Sequence, residues 1–439
     1  MAGRYYLETL GCPKNQVDSD KLRGTLGAEG YEVAEDVHDA DLVVVNTCAF
    51  IEAARQESID TVLYLAELRR PGARLVVTGC MAERYGDELA TALPEVDLVA
   101  GFGVPVTLGA TRLDGGRAGA RRPSFDLLNL PRPPSAAPWA YVKVAEGCDR
   151  RCGFCAIPSF QGAQRSRPAD AILDEVHALG PSVAEVVLVA QDLASWGLDR
   201  SAPDRRARPA GTPRPLIELV GQVADRVERV RLLYLYPSAL DDGLVEAVIA
   251  TGVPYFDLSL QHVSRPHVQR MRRWGDGERF LDRIAAIRAM APDAALRSSF
   301  ILGYPGETED DHDLLLSFLA EARLDWAGFF TFSEEPGTYA AGPAAGERVP
   351  PELALERLRE CSEVQDAITA EHGNALVGSK LRVLVDEPGR ARSHHQAPEI
   401  DGLVHVPEEL EVGAFHEVLV TGAAGPDLWA EALDAGVSP

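Results

Sequence analysis

Six of the seven cysteines in this 439-residue sequence fall into two sets whose spacing suits metal chemistry. In the stretch VAEGCDRRCGFCAIPSF, Cys148, Cys152 and Cys155 follow the spacing C-x3-C-x2-C. Thiolates are the usual ligands of iron–sulfur clusters, so three of them can hold three irons of a cubic 4Fe–4S cluster. The fourth iron then stays open, as catalytic metal sites keep an open position. Two other readings fit the same spacing: a zinc site short of one ligand, or a structural cluster completed by a distant cysteine. Zinc ribbons supply two C-x2-C pairs, and this chain has one. The remaining thiol, Cys361, sits in ELALERLRECSEVQDAI, an amphipathic run expected to form a helix and pack the thiol inside.

Cys12, Cys48 and Cys80 form the second set. Each follows an apolar, strand-like run: RYYLETL, ADLVVVNT and ARLVVTG. Helical stretches such as SDKLRGTLGAEG and FIEAARQESIDTVLYLAELRR lie between them, which predicts parallel strands in βαβ order. The carboxyl ends of strands line the crevice of an open α/β sheet. Free cysteine is often merely a small buried apolar residue. Three at equivalent strand ends favour a metal site instead. No Walker A or G-x-G-x-x-G motif accompanies these units, which argues against a nucleotide site there.

The elements that must position these thiols follow from the pattern. The expected fold is α/β, in four segments. Residues 1–112 form a parallel α/β domain and residues 113–137, rich in Gly, Pro and Arg, a linker. Residues 138–370 carry six strand candidates: AYVKVAEG, EVVLVAQD, RVRLLYLYP, YFDLSLQH, ALRSSFILG and WAGFFTFSEE. Six βα units favour a partial (β/α) barrel over a flat doubly wound sheet. The C-x3-C-x2-C loop then follows its first strand, at the end where barrels place their active sites. Within this segment, residues 199–215 hold five arginines and read as a solvated surface loop. Residues 375–439 carry short alternating strands, the pattern of a small antiparallel β-barrel.

Composition narrows the class. Apolar residues are 46% and charged residues 25%, as in soluble globular proteins. No apolar run approaches the ~20 residues of a membrane span, and the N-terminus has no secretory pattern. A cytoplasmic protein without a membrane partner is expected. An odd cysteine count argues against a disulfide framework. The net charge of −24 favours a basic protein or a small molecule over nucleic acid as partner.

The C-x3-C-x2-C loop after the first strand of a βα barrel resembles the radical S-adenosylmethionine superfamily. With the cysteines of LGCPKN, VVVNTCAF and VTGCMAERYG and the terminal barrel, nearly the whole chain resembles the methylthiotransferase family, whose terminal barrel is the TRAM domain. That resemblance implies two 4Fe–4S clusters, one on Cys148, Cys152 and Cys155 and one on Cys12, Cys48 and Cys80. S-adenosylmethionine would chelate the open iron of the first and be cleaved to a 5′-deoxyadenosyl radical. A second S-adenosylmethionine would methylate sulfur at the other cluster, and the methylthio group would enter an unactivated C–H bond. The resemblance also implies an electron donor such as flavodoxin or ferredoxin, and a monomer.

Two branches of that family compete. GCPKNQVDSD, AEGCDRRCGFCAIPSFQGAQRSRP, NTCAFIEAARQESID, VAQDLASWG and QAPEIDG resemble the branch that modifies the β-carbon of an aspartate in ribosomal protein S-twelve, free or within the small ribosomal subunit. The branch that modifies an adenosine of transfer RNA tends to read GCQMN and EGCNKYCTFC. Charge agrees with the first. Residues 375–439 hold 4 basic and 11 acidic side chains, a net of 4 − 11 = −7, which suits a basic protein better than RNA phosphates.

Softer expectations attach to other strand ends. Gln191 and Asp192 end a barrel strand and point toward the cofactor region. Arg297 is a residue type suited to pairing with the cofactor carboxylate. Each is equally readable as local structure. His262 reads as polar lining, because hydrogen abstraction by a radical needs no general base. No residue is assigned as a catalytic acid or base, and no G-x-S-x-G elbow supports a hydrolase.

Overall fold

The computed structural model describes residues 3–106, 126–201 and 214–433. Most of the expected linker, through residue 125, and residues 202–213 of the arginine-rich loop lie outside the described residues. Two compact units emerge. Met1–Pro134, Ala145–Asp149 and Ala156–Leu179 make the first, and Ser135–Val144, Arg150–Cys155 and Gly180–Pro439 the second. Cys148 therefore belongs to one unit and Cys152 and Cys155 to the other. Among the described residues no helix is long and apolar enough to cross a membrane.

The first unit is built on a parallel sheet of β1 (Arg4–Thr9), β2 (Glu32–Val33), β3 (Leu42–Thr47), β4 (Arg74–Gly79) and β5 (Leu98–Ala100), in the order β2-β1-β3-β4-β5. Successive side chains of a strand point to opposite faces. In β3, Val43 and Val45 therefore enter one core layer with Val62 and Leu65, while Leu42 and Val44 enter another with Leu22 and Leu26. Leu22 and Leu26 come from α1 (Pro13–Ala28), and Val62 and Leu65 from α2 (Glu52–Leu68). A third helix, α3 (Cys80–Ala92), follows β4 directly. Both faces of the sheet are covered, which is why its strands read as unbroken apolar runs.

Residues 156–179, expected in the central barrel segment, group with this first unit. The reason is a buried charge cluster. Glu175, on the helix Ala169–Ala178, takes Arg167 at 2.7 Å and Lys21 of α1 at 3.3 Å. Arg132 lies 3.9 Å from the same carboxylate and also pairs with Asp20. Burial pushes the Lys21 amine down to about 8, with Glu175 acting against it. Groups this buried must stay paired, so the helix is tied to the N-terminal sheet.

Beyond the first sheet come β6 (Trp139–Lys143), the two-residue antiparallel pair β7 (Ala145–Glu146) and β8 (Arg165–Ser166), then β9 (Glu185–Val189), β10 (Arg229–Leu232), β11 (Tyr255–Gln261), β12 (Ala295–Leu302) and β13 (Trp326–Thr331). β6, β9 and β10 pair in parallel, as do β11, β12 and β13. A parallel bridge, Leu235 to Leu258, joins the two sets. The six strands thus stand in chain order without reversal. A doubly wound sheet would reverse order at a switch point, so the partial barrel is the observed architecture.

β14 (Lys380–Glu387), β15 (Arg390–Arg392), β16 (Val404–His405), β17 (Phe415–Ala424) and β18 (Asp427–Ala432) close into the small barrel. The segment between β15 and β16 covers the amino ends of the larger barrel's strands. Tyr141 Oη donates to Pro398 O at 2.8 Å and Tyr255 Oη to Asp401 at 2.6 Å. Arg231 and Arg392 both reach the fully buried Glu185, at 2.7 and 3.2 Å. The QAPEIDG stretch is the floor of the barrel.

Candidate functional site

The three N-terminal cysteines stand at the carboxyl ends of three neighbouring strands, β1, β3 and β4. Thr47 and Gly79, one residue before Cys48 and Cys80, are register partners. Gly11, one residue before Cys12, has φ +98°, and a Cβ there would meet Cys48 Cβ at 2.8 Å. Only glycine lets this turn close so near the second thiol. Asn15 locks the arrangement: its amide donates to Leu10 O at 2.8 Å and Thr47 O at 3.1 Å, and its Oδ1 lies 3.7 Å from Cys80 Sγ. Gln161 donates to the same sulfur at 3.4 Å. Cys12 caps α1 and Cys80 opens α3, so both stand at helix N-termini, where the backbone N–H groups favour an anionic group such as a cluster. Burial, and then Cys12, raises the Cys48 thiol above its ordinary range.

Among the described residues, no three His, Cys, Asp or Glu side chains are grouped so as to hold a metal ion. Neighbouring strands lie about 4.8 Å apart. Thiols spread over three strands fit the separate irons of a cluster better than the single ion of a zinc site, whose sulfurs all bind within about 2.3 Å of one metal. The donor set is all sulfur, as such clusters use.

In the second unit, Cys152 and Cys155 form a turn, with Cys155 N donating to Cys152 O at 3.2 Å. Gly153 between them is pinned on both sides: its N–H donates to Met271 O at 2.7 Å, and its carbonyl accepts from Ala340 N at 2.8 Å. A Cβ on Gly153 would meet Tyr304 Oη at 2.8 Å and Arg270 O at 3.0 Å. Arg273 donates to Cys152 Sγ at 3.2 Å. In the first unit, Cys148 is buried, and its N–H donates to Gly162 O at 3.1 Å. Cys361 is fully buried in the helix Pro351–Leu376, its thiol pushed up to about 12 by burial.

Gln191 and Asp192 follow β9 at its carboxyl end. Asp192 accepts from Arg150 Nε and Ser195 Oγ, both at 2.7 Å. Arg150 comes from the cysteine loop itself and lies over the Tyr236 ring at 3.7 Å. Tyr234 and Gln261, at the ends of neighbouring strands, hold positive φ values of 64° and 73°. Such strain clusters where a site must be shaped.

Arg297 is placed elsewhere. It is the third residue of β12, and its guanidinium pairs with Asp257 at 3.1 Å and with Asp401 of the floor at 3.3 Å. Burial alone would lower its pKa, but Asp257, Tyr255 and Asp401 together hold it above the ordinary value. Its Cα lies five residues, on the order of 16 Å, before the strand's carboxyl end. Arginine chemistry suited a carboxylate, and the carboxylates it found are the protein's own. His262 is likewise fully buried, 3.9 Å from Glu307, a wall residue and not a lining one. Sequence reasoning missed Arg150, Tyr236, Arg273 and Tyr304. Only the position of YLYPS after an apolar run could have pointed to Tyr236.

Comparisons with known proteins agree with this anatomy. Residues 4–101 match the uncharacterized protein family UPF0004, residues 142–319 the radical SAM superfamily, and residues 377–433 the TRAM domain. A partial barrel in chain order, with the cysteine loop after its first strand and that superfamily match, defines a radical S-adenosylmethionine enzyme. Such an enzyme works with a 4Fe–4S cluster and S-adenosylmethionine. The ribosomal protein uS12 methylthiotransferase RimO of Saccharopolyspora erythraea is 42% identical over 91% of this chain and 88% of its own. Those of Streptomyces avermitilis (39%; 97% and 96%) and Cutibacterium acnes (38%; 98% and 98%) are similar over nearly the full length. The chain belongs to the RimO family of methylthiotransferases.

Proposed function

We propose that this enzyme adds a methylthio group to the β-carbon of an aspartate in ribosomal protein uS12, with one 4Fe–4S cluster on Cys148, Cys152 and Cys155 and a second on Cys12, Cys48 and Cys80. The relatives' shared name supports the substrate, and one structural observation carries the choice against transfer RNA. The small barrel's basic residues form no face. Arg392 is buried between Glu185 and Asp386, Arg382 pairs with Glu228, and Arg390 with Glu387, leaving Lys380 exposed. Glu387, Glu408, Glu409, Glu411, Glu417 and Glu431 are exposed. Such a surface repels phosphate and attracts a basic ribosomal protein.

When bound, the clusters and S-adenosylmethionine supply one-electron chemistry able to open an unactivated C–H bond, together with the sulfur group to be transferred. The chain's own residues hold and shape. Asp192 fixes Arg150 against Tyr236, and Gln191 beside it would border the cofactor. Gly153, pressed on Tyr304, holds the Cys152–Cys155 turn. No side chain is asked to move a proton, which fits the burial of His262. A one-electron donor of the flavodoxin or ferredoxin class supplies the reducing electron, and the substrate places the work in the cytoplasm.

The test is anaerobic reconstitution, then incubation with S-adenosylmethionine, reductant and either uS12 or transfer RNA, followed by mass spectrometry. A methylthio gain on one aspartate of uS12 is expected. Gain on the RNA alone would overturn the choice of substrate and leave the radical chemistry standing.

A further inference from the structure

We infer that Arg273 tunes the radical-generating cluster: it donates a charged hydrogen bond to the Cys152 sulfur and so makes that cluster easier to reduce. This rests on the reading of Cys152 as a cluster ligand.

The contact is built, not incidental. The helix Arg265–Arg270 ends in a Schellman turn, with Arg272 N donating to Gln269 O and Arg273 N to Val268 O, both at 2.9 Å. The position that turn reserves for a left-handed residue is usually glycine. Here it is Arg272, with φ +55°. An L-residue in this conformation is strained, because its Cβ crowds the following carbonyl oxygen. The strain is held in place because the Arg272 guanidinium lies over the Tyr339 ring at 4.3 Å. The turn aims the next side chain, Arg273, at the cysteine loop.

Arg273 is fixed by three contacts in all. One guanidinium nitrogen donates to Cys152 Sγ at 3.2 Å, and the other to Ser259 O of β11. Its plane lies over the Tyr236 ring at 4.4 Å. Tyr236 Oη in turn accepts from Trp274 N at 3.3 Å.

Hydrogen bonds and charge near a ligating sulfur set a cluster's potential. Reduction adds one electron and no proton, and the electron comes from an external one-electron donor. In a cluster held by Cys152 the added negative charge would fall partly on the ligating sulfurs, one of which Arg273 contacts. Arg273 is therefore a positioning residue that acts through Cys152 and need not touch substrate.

The experiment is a redox titration of the reconstituted full-length enzyme followed by electron paramagnetic resonance. The signal that changes on adding S-adenosylmethionine identifies the cluster concerned. Arg273→Met is expected to keep its iron and sulfide yet show about a tenfold smaller ratio of reduced to oxidised cluster at a fixed poise, equal to about 59 mV for a one-electron couple. Arg273→Lys, which restores the charge without the fork, should recover part of that shift. Full iron with an unmoved midpoint in Arg273→Met would overturn the inference. So would loss of the cluster from both variants, which would make Arg273 an assembly residue. A Cys152→Ala enzyme that retained the S-adenosylmethionine-sensitive signal would instead overturn the ligand reading on which it rests.

Discussion

The two cysteine sets are built by opposite means. Cys12, Cys48 and Cys80 come from strand ends far apart in sequence and are brought together by sheet topology, as the adjacency of β1, β3 and β4 requires. Cys148, Cys152 and Cys155 come from one loop, and neighbours such as Met271, Ala340 and Arg273 brace its Cys152–Cys155 turn. The sulfur donors differ as well. Side-chain donors to the sulfurs include a neutral amide in the first set, Gln161 to Cys80, and a guanidinium in the second, Arg273 to Cys152. A sheet edge holds ligands rigidly with little further adjustment. A braced loop can be tuned by one side chain. That difference suits the two roles proposed for them, storing a sulfur group and accepting an electron.

The largest effect expected is a division of labour. Replacing Cys148, Cys152 or Cys155 by Ala should abolish reductive cleavage of S-adenosylmethionine, read as 5′-deoxyadenosine. Replacing Cys12, Cys48 or Cys80 should spare much of that cleavage and stop methylthio transfer. If both sets abolished cleavage equally in folded protein, the comparison would break.

Glycine substitutions sharpen it one step further. In Gly11→Ala the new methyl meets Cys48 Cβ at a left-handed φ, adding about 1–3 kcal/mol of strain before any clash is counted. In Gly153→Ala the methyl meets Tyr304 Oη and the Arg270 carbonyl. The first variant should lose iron from the sheet-edge set and keep S-adenosylmethionine cleavage. The second should do the reverse. Iron content measured beside 5′-deoxyadenosine yield separates the two, and equal losses in both variants would show that the sites are not independently braced.

A third substitution probes the scaffold and not the thiols. Glu185 is fully buried, and Arg231 and Arg392, acting against its burial, hold its carboxyl well below the usual range. Glu185→Gln leaves two buried guanidiniums short of their counter-charge, a loss of about 3–5 kcal/mol. Thermal unfolding should show the drop. Iron content at room temperature should not change, because these groups lie at the barrel floor and the thiols at strand carboxyl ends.

What the sequence made legible follows the same divide. Thiols at strand ends could be read because apolar runs ending in Cys12, Cys48 and Cys80 mark both the strand and its terminus. The order of the six barrel strands and the terminal β-barrel followed from periodicity. Pairings across long separations were not legible. Nothing local says that Arg297 meets Asp401, that Glu175 meets Lys21 and so draws residues 156–179 into the first unit, or that a left-handed Arg272 aims Arg273 at Cys152. Charged partners are chosen by three-dimensional proximity, and residue type alone suggests many.

The smallest effect expected is a pH dependence confined to one unit. Burial first, then His262 and Arg270, lowers His267 to about 2, and burial with His394 lowers His395 to about 4. Both are neutral in the folded protein and ordinary histidines when unfolded. Their contribution is therefore complete above about pH 6.5. As pH falls below that value the unfolded chain takes up protons that the folded chain refuses, and stability drops by about 1.4 kcal/mol per pH unit for each histidine. His395 stops contributing near its folded value, and His267 continues lower. The first unit's histidines, His38 and His177, are exposed, so this pair's loss falls on the second unit. All five tryptophans, Trp139, Trp196, Trp274, Trp326 and Trp429, lie in that second unit, so tryptophan fluorescence during urea unfolding reports on it alone. Between pH 6.5 and 5 the midpoint should fall, and His267→Gln should flatten the slope. A slope unchanged in that variant would mean that His267 does not stay neutral in the folded barrel, and that the wall behind the Cys152–Cys155 turn is wetter than its burial implies.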